Sequence, residues 1–163
     1  MKAVKGFIVA CGMALAASGA VVAHEAHKHG GHDHGHAVTY GKPGDPAKPA
    51  RDVEVVMSEG DGKMLFTPAL IEVRKGEQIR FKVRNPGALD HELVLGTQEE
   101  LDAHADIMAA MPDMQHDDPN AIRLAPKTAG DLLWQFTEAG EFPFACLIPG
   151  HREAGMVGKV VVR

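Results

Sequence analysis

From residue 51 onward, short apolar runs alternate with turns, and the apolar positions mostly recur with a period of two. Val53, Val55 and Met57 alternate with Glu54 and, less cleanly, Val56, ahead of the turn Gly60-Asp61-Gly62. Met64, Leu65 and Phe66 follow, then a run at 70–73 after Pro68. In residues 78–84, Ile79, Phe81 and Val83 alternate with Arg80, Lys82 and Arg84. That is the pattern of a strand buried on one face and wet on the other. Asn85-Pro86-Gly87 ends it. Further runs lie at 93–95, at 121–124, at 131–136 (where Leu132, Trp134 and Phe136 share a face), at 141–145 and at 157–162. Trp134, the only tryptophan, is assigned to the core. Short strands between frequent turns predict an all-β sandwich.

One stretch has a different period. Thr97, with Glu100 three residues on, forms a capping box. Leu101, Ala105, Met108 and Met111 follow at helical spacing until Pro112. A helical insertion of about three turns is therefore expected within residues 97–118, between two strands of the sandwich.

The N-terminal part carries no such pattern. Residues 1–23 read as a secretory signal peptide, with Lys2 and Lys5, an apolar stretch at 6–17, and Val21-Val22-Ala23 before the cleavage point. This predicts export to the periplasm, with no membrane attachment after cleavage. Residues 24–50 read as a disordered leader. Its first part holds His24, His27, His29, His32, His34 and His36, and residues 41–50 are Pro/Gly-rich linker chemistry. The folded domain is expected over residues 51–163.

Charge and cysteine count narrow the chemistry. The formal net charge of −5 becomes −7 once Lys2 and Lys5 are lost with the signal, which argues against a nucleic-acid partner. Cys11 leaves with the signal too, so Cys146 stands alone. Cysteines in an oxidising compartment usually pair as disulfides. A solitary one ahead of His151 and Met156 reads as a metal ligand.

The loop from Cys146 to Met156 presents a thiol, an imidazole and a thioether, with four residues in each gap. Two His, one Cys and a weak axial Met make the ligand set of a blue-copper site. The loop lacks one imidazole. His91, just past a turn and at the start of the apolar run 93–95, is the candidate to supply it. The predicted metal set is His91, Cys146, His151 and Met156. The six leader histidines can bind further copper. Met108, Met111 and Met114 recur every third residue, flanked by His104 and His116. Met108 is expected to pack the helix onto the sandwich. Met111, Met114 and His116 stand between packing and an auxiliary Cu(I) site.

With these residues in place, the chain resembles the cupredoxins, the small Greek-key copper proteins that include plastocyanin, azurin and auracyanin. The likeness spans roughly residues 53–163. It rests on Phe66-Thr67-Pro68, on Ile71-Glu72-Val73-Arg74-Lys75-Gly76-Glu77, on Val83-Arg84-Asn85-Pro86-Gly87, on His91-Glu92-Leu93, on Gly140 to Cys146, and on Pro149-Gly150-His151 through Gly155-Met156-Val157-Gly158. It implies a Greek-key β-sandwich with one type 1 copper on the four predicted ligands. After His91 comes Glu92, where azurin-like members often carry Asn. The arrangement of signal, His-rich leader, linker and Met-bearing insertion is similar to CopI-type periplasmic cupredoxins linked with bacterial copper tolerance.

Two functions follow from this chemistry. One is periplasmic copper tolerance, by binding and redox-cycling copper. The other is electron carriage between respiratory or photosynthetic complexes. A metal-collecting leader favours the first. A multicopper oxidase needs more histidines than His91, His104, His116 and His151, so no enzymatic role is expected. The expected form is a monomer that meets copper ions and a redox or copper-transfer protein partner.

Overall fold

The computed structural model describes residues 38–111, 114 and 117–163. The first strands are β1 (Gly41–Pro43), β2 (Arg51–Gly60), β3 (Lys63–Thr67), β4 (Leu70–Val73), β5 (Gln78–Asn85) and β6 (His91–Leu95). Helix α1 (Gln98–Ala110) follows, then β7 (Ala121–Leu124), β8 (Thr128–Phe136), β9 (Gly140–Ala145) and β10 (Val157–Val162). They form two five-stranded sheets, ordered β1-β8-β5-β2-β3 and β4-β10-β9-β6-β7. Pairing is antiparallel except for β2 with β5 and β10 with β4.

The alternation written in the sequence places the core. On β5, Ile79 and Phe81 stand opposite Trp134 and Leu132 of β8. All four are buried, with Val55 and Met57 of β2 beside them. The second sheet answers with Ile71, Val73, Leu93, Leu95, Phe144, Val160 and Val162. Fully burying one such side chain contributes about 1.5–3 kcal/mol relative to leaving it exposed.

Strand β6 departs from alternation, because all five of its residues are buried. The reason is α1. Its Leu101 and Met108 pack with Val94, Ala145 and Leu147, so the second sheet is covered on its outer face here. The helix begins as its sequence predicts. The Thr97 hydroxyl accepts the Glu100 N–H while the Glu100 carboxylate accepts the Thr97 N–H, at 3.2 and 2.7 Å.

The domain starts earlier than Arg51. Tyr40 is buried, stacked on Trp134 at 5.6 Å between ring centroids, and its hydroxyl donates to the Leu95 carbonyl at 3.1 Å. β1 extends the first sheet by pairing with β8. Its register depends on Gly41, where a Cβ would overlap the Trp134 indole nitrogen. The Pro/Gly segment after it is latched rather than free. The Gln78 side chain accepts the Asp45 N–H at 2.7 Å and donates to the Asp45 carbonyl at 3.0 Å. A linker composition thus hides an aromatic anchor and a buried amide that receives it. The expected signal peptide and the six leader histidines lie outside the described residues.

Candidate metal centre

The site lies at one end of the sandwich, where chain segments from both sheets meet. Cys146 follows directly on β9, and Val157 opens β10, so the intervening loop is anchored at both ends. The loop is also tied to itself. The Cys146 N–H donates to the Met156 carbonyl and the Met156 N–H to the His151 carbonyl, both at 3.1 Å. Gly150 and Gly155 take φ of 87° and 101°, a left-handed backbone that glycine adopts without the Cβ penalty. From outside, Met64 of β3 donates its N–H to the Ala154 carbonyl at 3.0 Å, and Arg152 pairs with Asp102 of α1 at 2.5 Å.

His91 comes from the other segment, as the first residue of β6, directly after the loop from β5. Asn85 organises that loop. Its amide donates to the carbonyls of Leu89 at 2.7 Å and Leu124 at 3.0 Å, while its side-chain oxygen accepts the Gly87 N–H.

These segments bring three donors together. His91 Nδ1 lies 3.2 Å from His151 Nδ1, which lies 3.3 Å from Cys146 Sγ. One ligand atom from each of the three residues falls within 4.8 Å of the others. Cys146, His91 and Met156 are fully buried, whereas His151 keeps 9% of its surface exposed. Met156 is held next to the cluster through its backbone bonds to both Cys146 and His151.

The surroundings tune each donor. Burial pushes the Cys146 thiol up to about 12, against the backbone N–H groups of Glu92 and Ile148, which favour the thiolate. Burial, followed by the His91 charge, moves the His151 imidazole below its ordinary value. Such a pocket favours an uncharged thiol at Cys146 and a neutral imidazole at His151. A cation reverses that preference for the sulfur, because a coordinating thiol is deprotonated. Two imidazoles, one cysteine sulfur and a buried thioether fit copper better than Mg²⁺ or Ca²⁺, which take oxygen donors.

Copper binding proteins of the plastocyanin/azurin family match residues 53–163 of the chain. The chain belongs to this family; it is a cupredoxin. It is 54% identical over 160 residues to the copper-resistant cuproprotein CopI of Rubrivivax gelatinosus, spanning 92% of this chain and 95% of that one. It is 36% identical over 157 residues to CopI of Pseudomonas aeruginosa, spanning 78% and 84%. The solved structure of auracyanin B matches with a TM-score of 0.62 at 23% identity, covering 76% of this chain and 96% of that one, a likeness of fold. Copper binding is the property of the family, and this cupredoxin has a buried His91, Cys146 and His151 group able to take a type 1 copper.

Two acidic residues complete the picture: Glu92, which the sequence marks only as standing where azurin-like members often carry Asn, and Glu59, which it does not mark. Glu92 bridges the two donor segments. Its N–H points at Cys146 Sγ at 3.4 Å, and its buried carboxylate accepts the Leu147 N–H at 2.9 Å. Glu59, at the end of β2, accepts from His91 Nε2 at 2.9 Å and from the backbone N–H groups of Ala88 and Leu89. These bonds, Ala88 first and His91 next, bring the Glu59 carboxyl down to about 2. In sequence, Glu59 is one acid before a hairpin turn.

The auxiliary candidates divide. Met108 is buried under the helix and packs with Leu101 and Leu147. Met111 is 47% exposed and Met114 half-buried, on the segment that follows α1. His116 lies outside the described residues, as do His24, His27, His29, His32, His34 and His36.

Proposed function

We propose that this cupredoxin is a periplasmic copper-tolerance protein that holds one type 1 copper on His91, Cys146, His151 and Met156. The observation that carries the reading is the convergence of His91, Cys146 and His151 donor atoms within 4.8 Å in a buried pocket. Relatives named copper-resistant cuproproteins, matched over most of both chains, supply the physiological context.

In this reading each residue has one task. Cys146 would hold copper as thiolate, His91 and His151 as neutral imidazoles through Nδ1, and Met156 as the weaker thioether donor. Copper so held supplies a one-electron redox couple. The loop hydrogen bonds fix the donors before the ion arrives, and burial of Cys146, His91 and Met156 keeps water from competing. His151, the donor with surface exposure, is the edge through which an electron or a partner reaches the site. The leader histidines collect Cu(II), and Met111, Met114 and His116 offer soft donors to Cu(I). The role is binding and redox-cycling rather than catalysis, in a monomer exported by its signal peptide.

Electron carriage between membrane complexes is the competing reading, favoured by the same exposed edge of His151. A copper-sensitive strain separates the two. Cys146→Ala is expected to abolish the coloured centre and copper tolerance together. Tolerance that survives without Cys146 would place protection outside the buried site and contradict the proposal.

A further inference from the structure

We propose that Glu59 is a positioning residue for the metal centre: its carboxylate orients His91 with Nδ1 toward the donor cluster and adds a negative charge that favours Cu(II) over Cu(I). This rests on the reading of His91 as a ligand.

The geometry assigns the two carboxylate oxygens to different tasks. Oε1 accepts the N–H groups of Ala88 and Leu89, which fastens the segment just before His91. Oε2 accepts from His91 Nε2 at 2.9 Å. An ionised carboxylate accepts only, so Nε2 must carry the proton. In the neutral ring this leaves Nδ1 with its lone pair free for a metal, and Nδ1 is the atom that faces His151. Space for the carboxylate comes from Gly87, where a Cβ would overlap both Glu59 oxygens. Glu59 belongs to β2 and His91 to β6, strands of opposite sheets. The pair therefore also fastens the two sheets together at the site.

The electrostatic effect follows from charge alone. Cu(II) carries one more positive charge than Cu(I), so a nearby carboxylate stabilises it more. A carboxylate hydrogen-bonded to a ligating histidine also raises the basicity of that ligand. Both effects lower the reduction potential and keep copper in the oxidised form.

The test compares the full copper-loaded chain with its Glu59→Gln variant by redox titration and EPR, alongside ¹⁵N NMR of the metal-free wild type. Glutamine has one acceptor oxygen and no charge, so it cannot serve both Oε1 and Oε2 partners. The expected result is a selective loss of Cu(II) affinity of about tenfold, read as a rise in potential of about 59 mV. NMR is expected to place the His91 proton on Nε2, a reading that needs no variant to fold. An unchanged potential in Glu59→Gln, or a wild-type His91 protonated on Nδ1, overturns the proposal. Absence of the thiolate–copper band in the wild type would instead overturn the ligand assignment itself.

Discussion

At the scale of single residues, the centre is built from groups that are ordinary until they meet. Cys146 in isolation is a buried thiol, and burial alone keeps it protonated. On the proposed role of Glu59, His91 is a directed donor because that carboxylate accepts the hydrogen bond from its Nε2–H. Glu92 ties the two donor segments together. Its carboxylate accepts the Leu147 N–H, the backbone group next to the cysteine ligand. Truncating it orphans a buried N–H, which costs about 1–3 kcal/mol. Glu92→Ala is therefore expected to lower the unfolding free energy of the metal-free protein by that order, as denaturant unfolding would show. Glu92→Gln, which keeps an acceptor oxygen, should lose much less. Equal losses in both variants would assign the stabilisation to charge instead of the hydrogen bond.

At the scale of elements, the sequence reports strands and the helix well and their partners poorly. Period two in residues 78–84 makes β5 legible, and the Thr97/Glu100 box fixes the start of α1. β1 is illegible because three residues cannot show a period, and Pro/Gly neighbours suggest a linker. Its real signal is Tyr40, an aromatic too large to leave in water, and its receiver is Gly41 against Trp134. The outer face of β6 is similarly hidden, since Val94 gains a partner only when α1 folds over it. Met108→Ala should therefore cost about 2–5 kcal/mol of stability, as for a buried methionine. Denaturant unfolding measures this. A loss near zero would mean that the helix is not packed through Met108, and would return that thioether to the pool of candidate copper ligands.

At the scale of the whole molecule, a ligand loop and a distant histidine reveal the site because copper demands a small, recognisable donor set. The supports of that set are less legible. Glu59 is separated from His91 by 32 residues and sits in the opposite sheet, so only the assembled sandwich brings them together. On the proposed reading, the molecule's copper falls into two classes, the buried centre and the leader histidines. Deleting residues 24–36 should leave the buried centre coloured while lowering total bound copper, as equilibrium dialysis would show. Unchanged stoichiometry would remove those histidines from the account.

The most direct test of the central claim is a copper titration of the mature protein followed by visible absorption and EPR. The account predicts an intense thiolate-to-copper band that saturates at one copper and vanishes in Cys146→Ala. Copper bound at full stoichiometry without that band would contradict it.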